Sequence, residues 1–239
     1  MSIVEVYTRE ISSPHSVGFH RMKKEDLTTF DPRSDFAVFE RGLPHWSQAG
    51  TVCFVTWRLA DSLPREVLSR LDDEIRSVLR SERLGWDNWK LELAKRAPAE
   101  RVKVQRKLFQ TRDKYLDKGY GECWLARVEC GKVVLDALLH FDEQRYYLCD
   151  AVIMPNHVHF LCAFAEPDAM LKQCEDWKRY TARRINKLVN RSGTVWQTDQ
   201  FGHLVRSPEQ FGSSRKYVAE NPQKAGLADG MYLHFSKGL

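Results

Sequence analysis

Apolar and polar positions change their period several times along this chain, and each change marks an element. From Gly50 to Leu59 the run Gly-Thr-Val-Cys-Phe-Val-Thr-Trp-Arg-Leu is rich in β-branched and aromatic residues, which predicts a first strand. Behind Pro64, a residue suited to opening a helix, Leu68, Leu71, Ile75, Val78 and Leu79 recur at helical spacing. Residues 82–121 are highly charged, with Trp86, Trp89, Leu93, Val104 and Leu108 at looser intervals. They read as a helical insertion divided by Pro98 and closed by Gly119 and Gly121. A helix follows over about 123–140, with Leu125, Val128, Leu135, Leu138 and Leu139 as its apolar positions. Residues 146–154 and 157–164 read as two strands joined tightly at Pro155-Asn156. A helix over about 167–190, a short strand near 194–197 and a last helix over about 207–221 complete the pattern. That helix is expected to stop at Asn221, because the residue before a proline is biased away from helical geometry.

The order strand, helices, strand, strand, helix, strand, helix predicts an α+β fold. Its antiparallel sheet is of the split βαβ (ferredoxin-like, RRM-like) type, with helices packed on it. Residues 1–40 show no sustained periodicity and are expected to form an irregular arm. Residues 41–239 then make a single domain carrying the insertion at about 82–121.

Composition narrows the class. The chain has 239 residues, 43% of them hydrophobic, enough for one large core. No run of about 18 apolar residues predicts a membrane span, and the N-terminus lacks a basic segment followed by an apolar one. A cytoplasmic protein is the expectation. The six cysteines contain no C-x-x-C pair, which argues for reduced, mostly buried thiols and against a structural zinc site or a disulfide framework. The formal charge of +5 is unevenly placed: from Ala151 onward 12 Lys and Arg stand against 8 Asp and Glu. An excess of basic residues in that third suggests a polyanionic substrate.

The chemistry sits in the same third. In a strand alternate side chains share a face, so His157 and His159 project together while Val158 points away. Two imidazoles on a rigid strand begin a divalent-metal site. Tyr217 and Asn221, four residues apart on a helix, place a phenol and an amide oxygen on one face. A phenol with an ordinary pKa near 10 is a poor nucleophile at neutral pH. Mg²⁺ or Mn²⁺ on a phosphodiester draws charge from a non-bridging oxygen and so activates the target instead. Two imidazoles and one amide oxygen leave room for that phosphate, and they suit Mn²⁺ somewhat better than Mg²⁺. Arg179, Arg183, Lys187 and Arg191 follow at four-residue steps, with Lys178 and Arg184 beside them and no acid from 178 to 191. That stripe is suited to DNA phosphates, which position a substrate without reading its sequence. His45 and His203 are either phosphate contacts or structural histidines. Tyr180, on the basic helix, is the alternative nucleophile.

His157-Val158-His159 resembles the His-hydrophobe-His motif of HUH single-strand nucleases. The longer Val152-Ile153-Met154-Pro155-Asn156-His157-Val158-His159 resembles the single-tyrosine transposases of small insertion sequences. Trp196-Gln197, Phe201, His203, Arg206 and the run Tyr217-Val218-Ala219-Glu220-Asn221-Pro222 continue that family's C-terminal portion in order. The entry Arg41-Gly42-Leu43-Pro44-His45-Trp46 and the run from Phe54 to Pro64 are similar more specifically to REP-associated tyrosine transposases. Those proteins act on repeated extragenic palindromes in bacterial chromosomes. The resemblance spans roughly residues 41–228.

It implies an HUH nuclease fold, with Tyr217 as nucleophile and His157, His159 and Asn221 as ligands of Mg²⁺ or Mn²⁺. It also implies a single-stranded hairpin DNA partner contacted by Arg179, Arg183, Arg184, Lys187, Arg191, His45, His203 and Arg206. Cleavage would leave a 5′-phosphotyrosine and a free 3′-hydroxyl, in a nucleoid-associated monomer or homodimer. Gly202 stands where many relatives carry an aspartate. A non-catalytic, domesticated hairpin-DNA binder therefore stays open beside the enzyme, as does an HUH replication or mobilisation initiator. Relaxases of that last group place the tyrosine before the histidine motif, whereas here it comes 58 residues after His159.

Overall fold

The computed structural model describes residues 21–41, 43–198 and 200–238, with the side chains at 38–41, 43–45 and 98 outside that set. Five strands form one sheet: β3 (Cys53–Arg58), β4 (Tyr146–Ile153), β5 (His157–Phe164), β6 (Phe201–Leu204) and β7 (Leu233–Ser236). Their order across the sheet is β6-β3-β5-β4-β7, and every neighbouring pair is antiparallel. The chain passes from β3 to β4 through α1 (Arg65–Ser81), α2 (Trp89–Ala94), α3 (Pro98–Leu116) and α4 (Val128–Leu139). It turns tightly from β4 into β5, where Met154 N–H donates to the His157 carbonyl, and reaches β6 through α5 (Ala169–Leu188). The four strands β3 to β6 thus have the split βαβ arrangement, and the fold is α+β. α6 (Pro208–Lys224) precedes β7, and β1 (Ala37–Arg41) with β2 (Leu43–Ser47) forms a separate antiparallel ribbon.

Both faces of this sheet are covered, which explains why β3, β4 and β5 read as continuous apolar runs. Val55, Trp57, Val158, Phe160, Cys162 and Phe164 face one way and pack on Val134 and Leu138 of α4 and Trp177 and Ile185 of α5. Trp177 Nε1–H donates to the Ala137 carbonyl at 2.9 Å, fastening α5 to α4. Phe54, Val152, Met154 and Leu161 face the other way, with Val218 and Tyr217 of α6 and Phe109 of α3 against them. The rotational setting of α6 is fixed from below. Arg215 forks onto the buried carboxylate of Asp150 on β4, at 2.7 and 3.2 Å, beside a bulge between Leu148 and Asp150. A bidentate guanidinium–carboxylate pair sets direction as well as distance.

α1 and α3 share a small core of their own. Val67, Leu71, Ile75 and Leu79 of α1 meet Val104, Leu108, Tyr115 and Leu116 of α3. That leaves the opposite side of α3 free to cover the sheet.

Several boundaries differ from the sequence reading. The segment near 194–197 contributes a single bridge, Leu59 to Trp196, and the fourth strand of the motif is Phe201–Leu204 instead. Trp196 is apolar because it is buried, its Nε1–H donating to Thr181 Oγ1, whereas β6 is half-exposed and interrupted by Gly202. α6 runs on to Lys224 with Pro222 inside it. The proline falls in the last turn and removes the N–H that would have bonded the Val218 carbonyl, a loss set against the burial of Val218, Asn221 and Pro222. The helix expected over 123–140 divides into a 3₁₀ turn, Trp124–Ala126, and α4. Residues 1–20 of the expected irregular arm lie outside the described residues, and Ala37–Arg41 within it is a strand. β7 was not anticipated. All six cysteines are free, and all but Cys123 are buried.

Candidate metal and tyrosine site

The alternation of β5 puts His157 and His159 on the face under α3 and α6, both at 0% exposure, with ring centroids 4.7 Å apart. Each ring is oriented by its Nδ1. Asn156 Nδ2–H donates to the Tyr120 carbonyl, so its Oδ1 is the atom that meets His157 Nδ1 at 2.8 Å. An amide oxygen only accepts, so His157 must carry its proton on Nδ1 and present a lone pair at Nε2. Burial, and then His159 beside it, hold the His157 pKa well below the ordinary histidine value, which keeps that ring neutral. His159 Nδ1 lies 2.8 Å from Thr56 Oγ1, its cross-strand partner on β3. Partners of this kind are what fix a metal-binding imidazole.

The carboxylates come from α3. Asp113 and Asp117 lie one helical turn apart, in line with Phe109. Asp113 Oδ1 stands 3.3 Å from His159 Nε2, and Asp117 Oδ1 stands 3.9 Å from His157 Nε2. These four atoms, together with both amide atoms of Asn221, are buried and without a hydrogen-bond partner. Buried polar groups are normally satisfied, so a cluster of orphaned ligand atoms marks a place built for something to bind. The ligand atoms of Asp113, His157 and His159 lie within 4.8 Å of one another. An ion with bonds of about 2.1 Å separates adjacent donors by about 3 Å, near the Asp113–His159 spacing. The donor set of two imidazoles and a carboxylate is one that could hold a divalent metal ion.

Tyr217 closes the site. Its phenol donates to Asp113 Oδ2, and its ring packs 5.4 Å from His159, 5.8 Å from Phe54 and 5.6 Å from Phe109. Asn221 lies one turn further along α6 at 1% exposure. The structure therefore brings His157, His159 and Tyr217 together, adds Asp113 and Asp117, and leaves Asn221 buried one turn from Tyr217 on the same helix.

Burial, reinforced by the charge of Asp113, pushes the Asp117 carboxyl up to about 7. With the folded pKa above the unfolded one, the folded state keeps a proton that the unfolded state releases. Asp117 therefore withdraws stability as pH rises from about 4 to about 7, and its contribution is flat above that. Urea melts of the metal-free protein are expected to show wild type losing stability relative to Asp117→Asn across that window. Parallel profiles for the two would contradict it.

The remaining sequence candidates lie elsewhere. Arg179, Arg183, Arg184, Lys187 and Arg191 are exposed, on or just beyond α5. Their helix packs on the opposite face of the sheet from the histidines. The stripe is not wholly without acids, because Arg179 pairs with Asp176, just ahead of the acid-free stretch. Tyr180 is 53% exposed on that same helix, with the sheet between it and His159. His203 stacks on Phe54 at 5.2 Å, and burial with Arg206 nearby lowers its pKa to about 4, so it stays neutral. Arg206 is exposed just beyond β6, and the side chain of His45 is outside the described set. Gly202 pairs with Val55, whose side chain faces α4 and α5, so a side chain at 202 would point away from the histidines. Asp113, Asp117, Asn156 and Thr56 escaped the sequence reading. The i, i+4, i+8 series Phe109, Asp113, Asp117 is the signal that could have exposed the two acids.

No family model matches the chain, and no curated protein matches it. One solved structure that does match is described as a REP-associated tyrosine transposase bound to a REP hairpin. It shares 14% identity over 77% of this chain and 73% of its own, with a TM-score of 0.35, a distant likeness. Among the described residues no helix is long and apolar enough to cross a membrane.

Proposed function

We propose that this chain is a metal-dependent single-stranded DNA nuclease and strand transferase of the HUH type, acting on hairpin DNA through a phosphotyrosine at Tyr217. The observation that carries this reading is the convergence of orphaned ligand atoms beside one phenol: His157 Nε2, His159 Nε2 and Asp113 Oδ1 next to Tyr217. Held by those residues, Mg²⁺ or Mn²⁺ would supply charge neutralisation at a non-bridging phosphate oxygen. Asp113 Oδ2 already accepts the Tyr217 hydrogen bond, so it takes the phenolic proton as the oxygen bonds to phosphorus. The bond from phosphorus to the 3′ oxygen breaks, that oxygen takes a proton from water to become a hydroxyl while Asp113 returns its proton to solvent, and the downstream fragment stays on Tyr217 by its 5′-phosphate. The phosphodiester energy is retained, so rejoining needs no nucleotide cofactor.

The histidines are fully buried beneath α3 and α6, so on this reading one of these helices moves to admit substrate. The same burial favours the second reading, a hairpin binder whose site never opens. A 3′-labelled hairpin with a single-stranded flank separates the two. Label that stays on the denatured protein, formed with Mn²⁺ and abolished by EDTA, is expected. Tight hairpin binding without any adduct under either metal would leave the non-catalytic binder.

The α5 stripe takes the duplex stem on this reading. Arg183, Arg184 and Lys187 changed together to Gln are expected to weaken binding to unrelated hairpins alike. The log–log salt slope should flatten by about 0.9 per lost duplex contact. An unchanged slope would make the stripe a solvated face.

A further inference from the structure

A second group of aromatic side chains gathers where the β1–β2 ribbon meets the β6 edge. Phe36 and Trp46 lie nearly parallel, with centroids 5.1 Å and planes 7° apart, and each is 39% exposed. Phe30 stands edge-on to both, at 5.6 and 5.9 Å. Its backbone N–H donates to the Val205 carbonyl, which ties the group to the end of β6. The next residue, Arg206, holds its guanidinium 6.0 Å from the Phe30 ring. Among the described residues no carboxylate pairs with Arg206, or with Arg101 on α3, whose positive charge Arg206 feels. A stacked pair of open rings, with the Arg206 guanidinium against the third ring, is an apolar platform with positive charge on its rim.

That combination fits one ligand chemistry. Every nucleobase offers a flat π-face to an aromatic ring, and the phosphate joining it to its neighbour satisfies the cations. The platform also connects to the tyrosine site. From Arg206, just past β6, the chain runs back to His203 on that strand, about 10 Å at strand spacing, and His203 stacks on the Phe54 ring that touches His159 and Tyr217. We propose that Phe36, Trp46 and Phe30 with Arg206 form a stacking site for one unpaired base of the single-stranded segment flanking the cleaved bond. The proposal rests on the reading of the chain as a single-strand DNA enzyme, and it adds where the flank is held.

The test reads binding, in EDTA, so that it is independent of cleavage. A hairpin with a single-stranded arm is compared with the same hairpin carrying an abasic position at each arm nucleotide in turn, against wild type, Trp46→Ala and Trp46→Phe. One abasic position is expected to weaken wild-type binding about tenfold. Trp46→Ala should lose a similar factor on the intact arm and become indifferent to that abasic site, while Trp46→Phe retains most of the effect. Because the abasic series leaves the protein untouched, it stands even if Trp46→Ala folds poorly. An arm in which no abasic position matters would overturn the proposal. So would a Trp46→Ala defect shared equally by the armless hairpin, or a wild-type dimer that Trp46→Ala dissolves, the mark of a protein-docking patch. Adduct formation by wild type is scored separately. An adduct with an insensitive arm sinks the platform alone, and a sensitive arm without any adduct sinks only the enzyme.

Discussion

Tyr217→Phe is expected to bind hairpin DNA as wild type does and to form no covalent adduct, with cleavage reduced on the order of 10⁴-fold or more, the scale for removing a nucleophile. Phenylalanine keeps the ring that packs on Phe54, Phe109 and His159, so α6 should stay seated by that contact and by the Arg215–Asp150 pair. What disappears is the hydroxyl that donates to Asp113. Leaving that buried acceptor without its donor costs about 1–3 kcal/mol, visible as a lower urea midpoint but not as unfolding. Tyr180→Phe is the control: an exposed ring on the far side of the sheet should leave both stability and adduct unchanged. An adduct that survives Tyr217→Phe and is lost in Tyr180→Phe would reverse the assignment.

The parts of this site that local pattern can encode were legible in the sequence. Strand alternation placed His157 and His159 on one face, and helical spacing placed Tyr217 over Asn221, because both relations are set within a few residues. The tight turn at Pro155-Asn156 and the split βαβ order followed from the same local periods. What was hidden depends on contacts far apart in the chain. Asp113 lies more than 40 residues before the histidines, in a charged segment where acids read as ordinary solvated residues, and only the packing of α1 on α3 turns its other side to the sheet. The basic stripe shows the opposite case. Its spacing was right, but Trp177 and Ile185 bind α5 to the face away from the site, and nothing in a single helix says which side of a two-faced sheet it will cover. Pro222 shows the limit of a local rule: burial of Asn221 and Val218 carries the helix through a residue that would otherwise end it.

The largest effect on metal binding is expected from His157→Ala combined with His159→Ala. In the wild-type protein five potential ligand atoms, on Asp113, Asp117, His157, His159 and Asn221, sit buried and unsatisfied, so the metal-free fold carries a desolvation cost that an ion would relieve. Saturation at about 100 times Kd should raise wild-type stability by about 2.7 kcal/mol, and Mn²⁺ should shift its thermal midpoint upward accordingly. The double variant should lose that shift while keeping the strand, because alanine adds no buried polar group; its metal-free form is expected to be no less cooperative in unfolding. Asp113→Asn separates the two duties of that carboxylate. It keeps an oxygen for Tyr217 but removes the anionic ligand, so Mn²⁺ affinity should fall about 10- to 100-fold, with Asn221→Ala weaker in effect because a neutral amide contributes less charge. Calorimetric titration with Mn²⁺ reads all three without requiring cleavage. Undiminished Mn²⁺ binding in the double histidine variant would place the ion elsewhere, and the orphaned atoms around Tyr217 would then need a different occupant.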